Sequence, residues 1–285
     1  MEKLIDLHTH TVYSDGDLTP SELLDKAIEK NIGTISITDH DTILAYDECL
    51  DATDINIIPG IELSAKSSIG SMHILGYGID IHNTSLKNKM SELRNNSIYS
   101  ILAVLTQLKK DYGISFDNDK ITDLIVTNRS IGKLDVAKLI VQQGLATSVP
   151  NAFEKYLNEV KANTRSTARG ISYEECIDLI SGAGGIPVLA HPHTLELNPH
   201  DFLIRLKKLI SAGLMGIEVY HNSHSKEDVE WFMKIADEFE LLYSGGSDYH
   251  GETAKPDVEL GTGLNENIKI KRLTLIEQLK KSNKC

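Results

Sequence analysis

Short apolar runs rich in β-branched residues recur along the chain. Between them, apolar side chains return every three or four positions. The first pattern reads as buried strand and the second as amphipathic helix. The strand candidates are LIDL (4–7), TISIT (34–38), INIIP (55–59), HILGYGI (73–79), IPVLA (186–190), GIEVY (216–220) and LLYSG (241–245). The helix starts are equally marked. Thr19 reads as an N-cap, Pro20 as the first helical position and Glu22 as the closing residue of a capping box, ahead of Leu23, Leu24, Ala27 and Ile28. Ser172 and Glu175 repeat that box before CIDLI. Asn198-Pro199 opens DFLIRLKKLI, which stops at Gly213, and Ser225 opens KEDVEWFMKIADEF. Strands separated by helices of this length predict parallel βαβ units. Seven strands suggest a barrel, and a doubly wound sheet has the same alternation.

Residues 84–170 break this alternation. Leu86, Met90, Leu93, Ile101, Leu102, Leu105 and Leu108 keep helical spacing over a long segment, and LDVAKLIVQQG and VPNAFEKYL read as two shorter helices. The expectation is an α/β domain built from 1–83 and 171–285, carrying a helical insertion over 84–170 that caps one face. No internal repeat or low-complexity tract interrupts it.

Composition narrows the function. Hydrophobic residues make up 41% and charged residues 25% of 285, so a sizeable core is expected. The formal net charge is −12, which disfavours long nucleic acids, because phosphate neutralisation by basic surfaces drives that binding. A phosphate-bearing ligand would need local cations or metals to reverse the field. Cys49, Cys176 and Cys285 are odd in number, far apart and free of any CxxC, which argues against a disulfide framework and for a reducing compartment. The opening MEKLIDLHTH lacks a signal-peptide pattern, and no stretch approaches the roughly 20 apolar residues of a membrane span. A cytoplasmic protein without membrane partners is the expectation, with the oligomeric state left open.

The histidines concentrate the chemistry. His8 and His10 follow LIDL, Asp39, His40 and Asp41 follow TISIT, and Glu62 follows INIIPGI. His73 opens a strand candidate, His191 follows IPVLA, His221 follows GIEVY, and Asp248 and His250 follow LLYSGGS. In a parallel barrel all strand C-termini open on one face, so residues scattered along the chain would converge in one cup. Seven of eleven histidines fall at these positions. Burying so many imidazoles with carboxylates is costly unless something compensates their charges. Divalent metals do so, and this nitrogen and oxygen donor set suits zinc, manganese or iron.

In order and spacing, DLHTHTVYSDG, ITDHDT, GIELSA, HILGYGID, LAHP, IEVYH and GGSDYHG resemble the successive motifs of the PHP superfamily, named for polymerases and histidinol phosphatases. The match covers 1–83 and 171–261. It implies a distorted (β/α)7 barrel holding two or three divalent metals, with the helical insertion typical of the stand-alone phosphoesterases. Some of these hydrolyse 3′,5′-nucleoside bisphosphates, and others trim short oligonucleotides from the 5′ end. Carried over by motif, His8, His10, Glu62 and Asp248 would hold one metal, and Glu62 would bridge to a second bound by His73 and His191. Asp15, His40 and His250 would hold a third. Asp39, Asp41 and Asp6 read as groups orienting imidazoles.

One stretch departs from the family. Where relatives carry Gly-Arg-Pro-His in the insertion, this chain has Gly132-Lys133-Leu134-Asp135. Lys133 keeps the charge without the bidentate fork. Lys133 or Arg129 is therefore the expected contact to a second substrate phosphate. The expected function is hydrolysis of a nucleotide phosphate ester by metal-activated hydroxide. Asp15 would serve catalysis, and His221 would be the general acid and a substrate contact. Alternatives are a phosphatase for a non-nucleotide metabolite such as histidinol phosphate, or a non-catalytic regulatory module. His193 and His224 read as rim residues, His82 and His200 as surface.

Overall fold

The computed structural model describes residues 2–49, 54–67, 71–127, 129–158, 160 and 170–282. Cys285 and residues 161–169 of the expected insertion lie outside them. The N-cap signals hold where they were read, but the Ser172–Glu175 box forms only its Ser172 half, the Glu175 side chain pairing with Lys89 instead. The Thr19 and Glu22 side chains cap α1 (Pro20–Glu29) reciprocally. Ser172 caps α7 (Tyr173–Gly182), Asn198 caps α8 (Pro199–Ser211), and Ser225 caps α9 (Lys226–Glu238) with Asp228.

Two sheets carry the architecture. β1 (Leu4–Thr9), β2 (Ile32–Ile37) and β3 (Asn56–Ile57) pair in parallel. β4 (Gly60–Ala65), β5 (Met72–Tyr77), β6 (Ile186–Leu189), β7 (Gly216–His221) and β8 (Leu242–Gly246) form the second sheet in chain order. The sequence expectation of parallel pairing throughout fails at β4–β5 and β5–β6, which are antiparallel. The cause at β4–β5 is the length of the link: residues 66–71 cannot hold a crossover helix. The INIIP candidate ends at Pro59, so the β4 strand had no counterpart among the strand candidates. Among the described residues the ladders do not close into a barrel. The sheets meet instead through isolated bridges at Thr9–Tyr249 and His40–Glu62. Both bridges fall among the histidine motifs, so the seam between the sheets is where the polar cluster assembles.

Helices α7, α8 and α9 pack on the second sheet around Ile180, Leu206, Leu209, Phe232 and Ile235, all buried. A second core is separate. It gathers Ile101, Val104 and Leu108 of α3 (Thr84–Tyr112), Leu124 of α4 (Asn118–Val126), Val136 and Ile140 of α5 (Lys133–Gln142), and Ala152 of α6 (Val149–Ala152). The single stripe of α3 serves both cores, because Leu86, Met90 and Leu93 at its start pack against the first. Helix α4 had no counterpart in the sequence reading. No helix among the described residues is long and apolar enough to cross a membrane.

Candidate metal centre

Alternation along β1 places His8 and His10 on one side of the extended chain. Their Nε2 atoms lie 3.1 and 3.2 Å from Glu62 Oε2, and 3.4 and 3.2 Å from Asp248 Oδ1. All four side chains are buried. Glu62, on β4, turns its other oxygen to His73 Nδ1 and His191 Nε2, each at 2.8 Å. His40 Nδ1 stands 3.3 Å from Glu62 Oε2. Asp15 closes the third side, 3.5 Å from His10, 3.3 Å from His250 and 3.8 Å from His40. The structure thus brings together His8, His10, Asp15, His40, Glu62, His73, His191, Asp248 and His250.

The backbone is bent to achieve this. His191, Asp248 and Asp41 adopt positive φ angles of 22°, 51° and 53° without being glycine. Such conformations persist only where the surroundings over-determine them, and they concentrate at functional sites. Here the surroundings are carboxylates. Asp6 accepts from Ser247 N–H and O–H, Gly261 N–H and His8 N–H. Asp39 holds Thr11 and Ser14, and Asp41 holds Ser64. All three were expected to orient imidazoles. They fix loop backbone and hydroxyl groups instead.

The imidazole role falls to Glu218, which sequence reasoning missed. Its Oε1 pairs with His8 Nδ1 at 2.9 Å, and its Oε2 accepts the His191 backbone N–H at 2.6 Å. The available signal was a carboxylate in the middle of GIEVY that is fully buried on its strand. His221 ends β7, buried, with Nε2 3.2 Å from Asp248 Oδ2 and within one ion's reach of His8 and Glu218. Lys255 was also missed; its ammonium contacts Asp248 from the loop after β8.

The two cations expected to read a second phosphate are otherwise engaged. Arg129 pairs with Asp135 at 2.6 Å and donates to the carbonyls of Ser14 and Ser130. The Asp135 carboxylate draws the guanidinium onto α5. Lys133 Nζ donates to the Leu157 carbonyl, within the helical segment. His224 is not a rim residue either. It is buried, and its Nδ1 lies 2.9 Å from the Val219 carbonyl oxygen.

Electrostatics mark the cup as incomplete on its own. Burial pushes the His8 and His10 pKa values down, but neighbouring carboxylates more than offset this, holding His8 well above its usual range and His10 at about 9. Burial raises the Asp15, Glu62 and Asp248 carboxyls, and surrounding cations reverse the effect to leave all three well below their usual range. His10 Nε2, Asp15 Oδ1 and His40 Nδ1 are buried without a hydrogen-bond partner. Ligand atoms of His10, Asp15, His40 and His250 lie within 4.8 Å of one another, as do those of His8, His10, Glu62 and Asp248. Orphaned nitrogen and oxygen donors at this spacing fit divalent cations.

Fold and site together define a metal-dependent hydrolase. The PHP domain family model matches residues 6–164. The chain is 31% identical over 249 residues to a 3′,5′-nucleoside bisphosphate phosphatase of Chromobacterium violaceum, covering 86% of this chain and 87% of that protein. It is 30% identical to the 5′-3′ exoribonuclease Rnm of Escherichia coli, covering 92% and 89%. A crystal structure of a candidate metal-dependent phosphoesterase from Bifidobacterium adolescentis superposes with a TM-score of 0.78 at 28% identity, covering 94% of each chain. This chain belongs to the PHP domain family.

Proposed function

We propose that the chain hydrolyses a phosphate ester of a small nucleotide, either a 3′,5′-nucleoside bisphosphate or a short 5′-phosphorylated oligonucleotide. The observation that carries this reading is the Glu62 carboxylate, whose two oxygens are shared among five imidazoles. Support also comes from the activities named for relatives matched over nearly their whole length. The fold is read as a distorted (β/α)7 barrel, opened at its seams, with residues 84–170 as an inserted helical unit.

In this reading His8, His10, Glu62 and Asp248 hold one cation, Glu62, His73 and His191 a second, and Asp15, His40 and His250 a third. Bound there, manganese, zinc or iron would supply Lewis-acid charge to phosphate oxygens and acidify water near neutral pH. The protein's own groups do the rest. Glu218 fixes the ring of His8, and Asp39 holds the loop that presents His10 and Asp15. His221 supplies the proton to the leaving oxygen, and Lys255 meets a phosphate oxygen at the mouth. Arg129 positions the Ser14–Asp15 loop through the Ser14 carbonyl. The test is metal-loaded protein assayed for phosphate release from 3′,5′-bisphosphates, 5′-phosphorylated dinucleotides and histidinol phosphate. Turnover of the nucleotides is expected. Preference for histidinol phosphate, or no release from any ester, would overturn the reading.

A further inference from the structure

A cleft of about 250 Å³ separates the loop after His40 from the first turns of α3. Its floor is apolar: Ile43, Ile81 and Met90 are all buried yet line it, with Leu44 beside them. Its far wall is one face of α3. Lys87, Met90, Ser91 and Arg94 follow the i, i+3, i+4, i+7 spacing of a single helical stripe. Both walls are tied to the histidine cup. Asp41 continues directly from His40, and its backbone N–H donates to the Glu62 carbonyl. Ser130, at the cleft's end, donates its N–H to the Tyr13 carbonyl, two residues before Asp15.

The chemistry of the walls selects an occupant. The apolar floor suits a flat, weakly polar ring, and the methionine thioether adapts to such a surface. Lys87 and Arg94 place two cations on the helix wall, while the loop wall carries the carboxylates of Asp47 and of Asp41, the latter held by Ser64. Arg94 is held by the carbonyls of Ile125 and Thr127, and its Nε is buried without a partner. The volume lies just below the roughly 300–1,000 Å³ of sites for drug-sized ligands, enough for one nucleoside and too little for a folded chain.

We infer that this cleft is the nucleoside subsite. The base lies on Met90, Ile43 and Ile81, and Lys87 with Arg94 takes the phosphate that is not cleaved. This rests on the proposed nucleotide phosphoesterase activity and assigns the role first expected of Lys133 and Arg129 to a different helix.

Ser91→Trp, at an exposed position of α3, fills the cleft without disturbing either core, and Lys87→Glu reverses one cation. The readout is the ratio of kcat/KM on adenosine 3′,5′-bisphosphate to that on p-nitrophenyl phosphate, which has no nucleoside. The ratio should fall by roughly 10-fold or more in each variant, because remote binding energy is lost only where a nucleoside is present. An unchanged ratio overturns the assignment. Adenosine 5′-monophosphate binding by calorimetry is the second arm. Wild type should bind it and Ser91→Trp should weaken it at least about 10-fold. Equal affinity overturns the subsite. If wild type releases phosphate from neither ester, the hydrolase reading fails, and the calorimetric arm still decides the cleft.

Discussion

Glu62 is fully buried, and five imidazoles converge on its carboxylate. Removing it should cost more than one cation: metal analysis of Glu62→Ala after loading should show a loss exceeding one equivalent relative to wild type. Full occupancy would show that the imidazole sets bind independently. A second expectation concerns protons. Neighbouring carboxylates raise the His8 pKa and hold that of His10 at about 9, which favours the protonated form of both rings in the absence of metal. A ligating ring must be neutral, so binding releases protons and affinity must rise with pH. Between pH 6.5 and 8, affinity for Mn²⁺ should increase by roughly 10-fold per pH unit for each proton released. A pH-independent titration would remove His8 and His10 as ligands. At this scale the sequence was informative where chemistry sat at strand ends, as with His8, His10, Asp248 and His250. It was opaque at Glu218 and Lys255. The carboxylate reads as one more strand residue, and the lysine reaches Asp248 only through the path of an irregular loop.

Strands β1 and β8 come from opposite ends of the chain, and one glycine lets them approach. A Cβ on Gly246 would stand 2.3 Å from the His8 backbone nitrogen and 2.7 Å from Asp6 Oδ1. Neither obstacle is the free end of a flexible side chain. Gly246→Ala should therefore push β8 from β1, destabilise the fold by about 1–3 kcal/mol as overpacking does, and displace His8. Thermal melts with a metal titration check both parts, and unchanged metal affinity would mean the strands part without moving the ring. Helices were legible because caps and stripes are local signals. Strand direction was not: antiparallel β4–β5 follows from a short link, and β4 lies wholly beyond the INIIP candidate, which ends at Pro59. Helix α4 escaped because it is short and buries only Leu124 fully.

Across the whole molecule the helical spacing of α3 was readable, and the described residues of the middle segment pack around an apolar cluster of their own. The opening of the sheets was not, because closure depends on register between distant strands. The same long-range packing buries His224 against the Val219 carbonyl and Phe232, giving it a stability role invisible in the sequence. Burial first, then the neighbouring His221, lowers its pKa from 6.5 to about 4. The sign follows from the depressed value. Above pH 6.5 the ring is neutral in both folded and unfolded chains, and its contribution is complete. Between 6.5 and 4 the unfolded chain binds the proton and the folded chain does not, so stability falls as pH falls. At pH 5 the loss is on the order of 2 kcal/mol relative to pH 8. The depressed Asp248 and Glu62 carboxyls also weaken the fold in acid, so the wild-type slope alone does not isolate His224. His224→Asn keeps a donor for Val219 and cannot titrate. It should be the less stable protein at pH 8, and its deficit should shrink by about 2 kcal/mol at pH 5. Denaturant unfolding of both proteins in chelator at the two pH values measures the deficit directly, and a constant difference would show that His224 is protonated alike in folded and unfolded chains.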